Sequence, residues 1–228
     1  MSLSSPEEIR CPCGEVFEAD IWNSINAVED PELKDEIING EINIVSCPRC
    51  GQIFYAEHFL LYHDSENELL AFVYPSSFVA DAEHWQKKME EDFKKATEEI
   101  MPEGTMSYKS ILMFGLDSLV DLIRDEQELE DESSVLKYFA ESFDLSIITI
   151  KPYFARINKI PRTLPVSKAK GLDMRAEIIE GIKVLLKHNS LLSHYENFLK
   201  VIENNPDWQL DKSFIAGGEN KKAKKHSK

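Results

Sequence analysis

Apolar positions along this chain recur in two rhythms, and the change comes near Pro75. Before it lie short β-type runs at residues 15–22, 42–45, 52–57 and 69–74, each bounded by turn residues. In the first run, alternation sets Phe17, Ala19 and Ile21 on one strand face and Val16 on the other. Asp64-Ser65-Glu66-Asn67, between two apolar runs, predicts a hairpin turn. A short acidic helix is predicted from Pro31 to about Ile38, with Asp30 as N-cap and Asn39-Gly40 as its stop.

After Pro75 the spacing becomes helical. Over residues 81–101, Trp85, Met89, Phe93, Ala96 and Ile100 form one stripe, which reads as core contact. Residues 108–114 read as a strand broken by Gly115. Leu116, Leu119, Val120 and Ile123 then open a second amphipathic helix, ending in the acidic run 125–132, a solvated helix end or linker. Three further stripes follow: Val135, Leu136, Phe139 and Phe143; Met174, Ile178, Ile182 and Leu185; Leu191, Tyr195, Phe198 and Ile202. Gly171 precedes the second stripe and Pro206 follows the third. The segment 145–159 fits a strand or a helix.

All four cysteines lie in two tight pairs, Cys11-Pro12-Cys13-Gly14 and Cys47-Pro48-Arg49-Cys50-Gly51. A tetrahedral zinc site needs four thiolates about 2.3 Å from one ion, and a pair closed by a tight turn supplies two at little chain-entropy cost. Cys11, Cys13, Cys47 and Cys50 are therefore the expected ligands of one structural Zn2+ per chain. The first pair is one residue shorter than C-x-x-C, so its turn must be tighter. Four cysteines close the coordination sphere and leave no position for a reactive water. A thioredoxin-like dithiol would need a helix after Cys50, whereas Ile53-Phe54-Tyr55 resumes β character.

These motifs lead to an α+β expectation: a zinc-ribbon-like β module with packed helices over residues 8–130, an all-α domain over 133–212, and a disordered basic tail over 213–228. The 228 residues carry a formal charge of −15. Residues 1–78 hold −12 of it and residues 79–132 hold −10, which makes the front half a poor nucleic-acid surface. Seven cations between Lys151 and Arg175 form a basic stretch, read as a solvated or intramolecular face. No apolar run exceeds six residues, against roughly 18 for a membrane-spanning helix. The first ten residues have neither a basic nor an apolar leader region, so the expectation is a cytoplasmic protein with reduced thiols.

With its two cysteine pairs, Trp22-Asn23-Ser24-Ile25-Asn26, Asp30-Pro31-Glu32-Leu33, Leu61-Tyr62-His63-Asp64 and Phe114-Gly115-Leu116-Asp117, the chain resembles the CpXC domain family over roughly residues 8–128. That resemblance implies a bacterial or archaeal zinc-binding protein with no assigned activity, and carries the four cysteines over as ligands. The departure is Cys-Pro-Cys-Gly, which lacks the residue between Pro and the second Cys.

No Gly-rich phosphate loop, G-x-S-x-G or H-E-x-x-H run supports an enzyme. His58 and His63 read as structural or solvent-facing, His188 and His194 take no role, and the carboxylate runs at 98–103 and 125–128 read as solvated faces. The expected function is a non-enzymatic protein-interaction module whose partner is a protein. Two alternatives stand: a zinc-centred thiol redox switch, since the cysteine arrangement also resembles that of redox-switched heat-shock chaperones, and nucleic-acid binding through residues 151–175 and the tail.

Overall fold

A computed structural model describes residues 1–100, 108–168 and 171–217. The tail beyond 217, Met101 and Lys170 lie outside these described residues. The chain divides into two compact units, Met1–Asp125 and Glu126–Lys228.

The first unit is built on a five-stranded sheet of order β1-β2-β5-β6-β7. Its strands are β1 (Leu3–Arg10), β2 (Val16–Asn26), β5 (Leu60–Asp64), β6 (Leu69–Tyr74) and β7 (Ile111–Phe114). β1/β2 and β5/β6 are antiparallel hairpins, while β2/β5 and β6/β7 pair in parallel. The hairpin turn expected at 64–67 joins β5 to β6. A separate hairpin pairs β3 (Ile44–Ser46) with β4 (Ile53–Tyr55).

β6 explains why its sequence is an unbroken apolar run: it is buried on both faces. Leu69, Ala71 and Val73 face a core closed by α1 (Pro31–Asn39) and the first turns of α3 (Leu116–Ala140). Leu70, Phe72 and Tyr74 face the opposite side, against Met89, Trp85 and Phe93 of α2 (Ala82–Ile100).

In the second unit a hairpin of β8 (Leu145–Thr149) and β9 (Thr163–Ser167) packs with α5 (Met174–His188) and α6 (Ser193–Glu203). The back of the chain is therefore α+β rather than all-α. The ambiguous segment resolves into β8 followed by α4 (Pro152–Asn158), the first helical position being Pro152. Five-residue strands rich in Ile and Leu are too short for their periodicity to separate strand from helix.

Other expectations are corrected. β1 has few apolar residues and carries Pro6, so no alternation announces it; it is an edge strand held by backbone pairing with β2. Asp30 precedes α1, but its carboxylate gives α1 no cap and instead accepts the Ser2 N–H at 3.0 Å. The acidic run is neither an end nor a linker, because α3 continues through it to Ala140. Leu191 is 86% exposed, outside the stripe assigned to it. The start of the expected tail is ordered: Phe214 stacks on Phe154 at 4.5 Å and Ile215 bridges to Ile150.

Candidate metal centre

Each cysteine pair is the turn of a β-hairpin. Cys11 and Cys13 sit between β1 and β2, and Cys47 and Cys50 between β3 and β4. In the first turn the Gly14 N–H donates to the Cys11 carbonyl at 2.8 Å; in the second the Gly51 N–H donates to the Cys47 carbonyl at 2.9 Å. The missing residue thus shortens the closure from four residues to three. Both glycines are left-handed, with φ of 91° and 73°, which any other residue adopts only at a cost. Further bonds from Cys11 N–H to the Glu15 carbonyl and from Cys47 N–H to the Gln52 carbonyl close the base of each turn.

The two turns bring all four sulfurs together. Cys11 Sγ lies 3.7 Å from Cys50 Sγ and Cys13 Sγ lies 3.8 Å from Cys47 Sγ, with every sulfur within 4.8 Å of the others. Cys11 and Cys47 are buried while Cys13 and Cys50 are exposed, and none forms a disulfide. This cluster could hold a metal ion.

Its electrostatics fit that use. Burial works against a Cys47 thiolate, but N–H groups of Cys50 and Arg49 point at the sulfur and the thiol is drawn down to about 7. The Cys13 N–H favours a Cys11 thiolate, yet burial and the three neighbouring thiols outweigh it and push Cys11 up to about 12. For Cys50 the Gln52 N–H is likewise outweighed, by burial and by Cys47 and Cys13, and its thiol is raised. Four adjacent thiols do not all ionise unaided; a cation among them would relieve the repulsion.

Beneath the cluster, Ile9, Ile21, Val45 and Ala56 form a small core with Phe17, Ala19 and Phe54. Asn43, which sequence reading missed, ties the second hairpin to the sheet. It is buried, has φ of 55°, hydrogen-bonds the Trp22 backbone through its side chain, and accepts the Ala56 N–H through its carbonyl. The one sequence signal was a polar residue between Ile42 and Ile44.

The remaining candidates stay outside this cluster. His63 Nε2 is 2.9 Å from the Tyr108 hydroxyl. His188 stacks on Phe143 at 4.1 Å, and His194 hydrogen-bonds Glu132 through both its N–H and its ring. Side chains from 95 to 100 and residue 103 lie outside the described residues. In the acidic run, Glu126 is buried and accepts from Arg156 and Arg162 at 2.6 Å each. Within the basic stretch Lys168 pairs with Asp144, Arg175 donates to the Ile202 carbonyl, and Lys151 lies over the Phe154 ring. Much of that stretch is thus committed inside its own unit. No described helix is long and apolar enough to cross a membrane.

No curated protein and no solved structure matches the chain. The CpXC protein family matches residues 9–134, more than half of the sequence and all four cysteines, and the chain belongs to that family.

Proposed function

We propose that this chain is a zinc-stabilised, non-enzymatic protein-interaction module of the cytoplasm, in which Cys11, Cys13, Cys47 and Cys50 hold one structural Zn2+. The sulfur geometry carries the reading. A regular tetrahedron with arms of about 2.3 Å has edges of about 3.8 Å; Cys11 and Cys50 sulfurs stand 3.7 Å apart, Cys13 and Cys47 sulfurs 3.8 Å, and all four lie within 4.8 Å of one another. Thiolate donors select zinc, Cu(I) or iron–sulfur centres, and four of them in tetrahedral array suit zinc or iron. With four protein ligands the ion has no open position, so its contribution is to clamp two hairpins whose shared core is small.

The partner is a protein with a basic surface. Net charge of −12 over residues 1–78 accelerates encounter with such a surface and repels nucleic acid. Association should slow as salt rises; an association rate unchanged between low and physiological ionic strength overturns this choice of partner.

The metal reading is tested by purifying the protein without a metal-binding tag and measuring metals and free thiols per chain, before and after mild peroxide. One zinc retained through peroxide supports it. Iron, or no metal in a folded chain, overturns it. Zinc release with formation of two disulfides makes the site a redox switch instead, a reading favoured by the exposure of Cys13 and Cys50.

A further inference from the structure

The five-stranded sheet has two edges, and they are built differently. β1, on one side, carries Pro6, which has no N–H to offer, and the charges of Glu7, Glu8 and Arg10. Proline and charge are the usual protection of an open edge. β7, on the other side, reads Ile111-Leu112-Met113-Phe114 and has neither. Both of its faces are covered: Ile111 and Met113 pack into the core closed by α1 and α3, and Leu112 and Phe114 into the cluster on the α2 side. Yet all four residues stay half-buried, whereas β6, between the same two layers, is buried at every position. The surface left open at β7 is therefore its edge rather than a face.

The direction of the free backbone groups follows from one bond. The Gly115 N–H donates to the Tyr74 carbonyl at 2.8 Å, which points residue 115 toward β6. Successive residues of a strand turn their N–H and C=O groups to opposite sides, so Leu112 and Phe114 turn theirs away from β6. The Phe114 carbonyl accepts the Ser118 hydroxyl at 2.9 Å. The Leu112 N–H and C=O and the Phe114 N–H have no partner among the described residues. Backbone groups left open beside apolar side chains gain most from another strand laid along them.

Charge selects what that strand is. Lys109 stands just before β7 and Asp117 just after it; both are exposed, and neither is in an ion pair among the described residues. A second β7 laid antiparallel about a two-fold axis brings the Lys109 end of each copy to the Asp117 end of the other. A parallel copy would set lysine beside lysine and aspartate beside aspartate. The antiparallel arrangement is also closed, because the two edges consume each other and leave no place for a further copy. We propose that this chain self-associates through β7, antiparallel to β7 of a second copy, so that one sheet runs through both chains. The formal charge of −15 on each copy opposes their encounter at low salt, so the dimer is a weak one that forms at physiological ionic strength, where charges are screened beyond about 8 Å. The assignment is independent of the metal centre.

The test uses the full-length chain at physiological ionic strength. Sedimentation velocity over a concentration series should show a monomer–dimer equilibrium, and amide hydrogen exchange should show the Leu112 and Phe114 N–H groups slowing as the dimer fills. Lys109→Glu and Asp117→Lys should each weaken the dimer about ten-fold, since each turns two attractions into two repulsions. The double variant Lys109→Glu/Asp117→Lys should return to within about three-fold of the parent. Both positions are exposed, and circular dichroism checks that the variants are folded. A monomer at every concentration up to about 200 μM, a dimer in which these two amides exchange as fast as in the monomer, or a folded double variant that associates no more tightly than the single ones would each overturn the proposal.

Discussion

Asn43 returns both ends of its carboxamide to one backbone residue. Its Oδ1 accepts the Trp22 N–H at 2.8 Å, and its Nδ2 donates to the Trp22 carbonyl at 3.1 Å. A single side chain thus substitutes for a strand pairing between β2 and the β3/β4 hairpin, and so helps align two cysteine turns that are remote in sequence. Asn43→Ala should lower stability by about 2–3 kcal/mol, from two lost hydrogen bonds and the left-handed backbone. Asn43→Gly should recover about 1 kcal/mol of that by relieving the backbone alone. Urea unfolding of both variants measures the difference; equal stabilities would show that the backbone conformation costs nothing here.

Metal removal should act on one unit more than on the other. The hairpins beneath the cysteines share a small core, and structural zinc sites contribute apparent binding energies of about 10–16 kcal/mol in small peptides. Chelation should abolish the β signal of the first unit and leave the helices of the second, whose core is separate. Amide hydrogen exchange with and without chelator reports this directly. Cys47→Ser, at a buried cysteine of the cluster, should mimic chelation.

Glu126 holds two guanidinium groups, and all three side chains are about nine-tenths buried. Glu126→Ala should destabilise the second unit by about 3–5 kcal/mol, since it removes the carboxylate that neutralises two buried cations. Replacing Glu126, Arg156 and Arg162 together with apolar residues of similar volume should cost far less. Thermal unfolding by circular dichroism compares the two; a milder effect from the single change than from the triple would contradict the assignment.

Gly181 lies in the interior of α5, where local propensity favours Ala by about 1 kcal/mol. A Cβ there would come within 2.5 Å of the Pro165 carbonyl oxygen and 2.7 Å of its carbon, both backbone atoms of β9. Gly181→Ala should therefore destabilise, by about 1–3 kcal/mol. An increase in melting temperature would show that α5 and β9 separate freely.

Asp64 joins the β5/β6 turn to α1. Burial opposes its ionised form, but the Asn67 side chain and the Lys34 ammonium, 3.1 Å away, more than offset this and hold the carboxyl below its usual value of 3.8. A lowered folded value means that its contribution is fully present above the unfolded value and is lost as pH falls through the folded one. Stability should therefore drop on acidification below about pH 4. Asp64→Asn should flatten that slope in acid unfolding curves.

The two cysteine turns were legible in the sequence because their information is local. Cys-Pro-Cys-Gly and Cys-Pro-Arg-Cys-Gly each encode a turn, a left-handed exit and a pair of sulfurs within five residues, and β6 announced its two-sided burial by six consecutive apolar residues. The tight first turn, the stop of α1 before Gly40 and the strand after Cys50 follow from the same short-range chemistry. What remained hidden depends on partners far along the chain. β1 exists through pairing with β2, Asn43 finds Trp22 across 21 residues, and Glu126 finds Arg162 across 36, which turns a predicted solvated run into a buried ion cluster. Likewise nothing near Gly181 in the sequence shows that the backbone of Pro165 occupies the space a side chain would need. Sequence determined which cysteines form tight turns and which segments alternate or wind, because turn geometry and periodicity are short-range. Tertiary structure alone decided which polar groups are buried and what they bind, because desolvation depends on the elements that come to cover them.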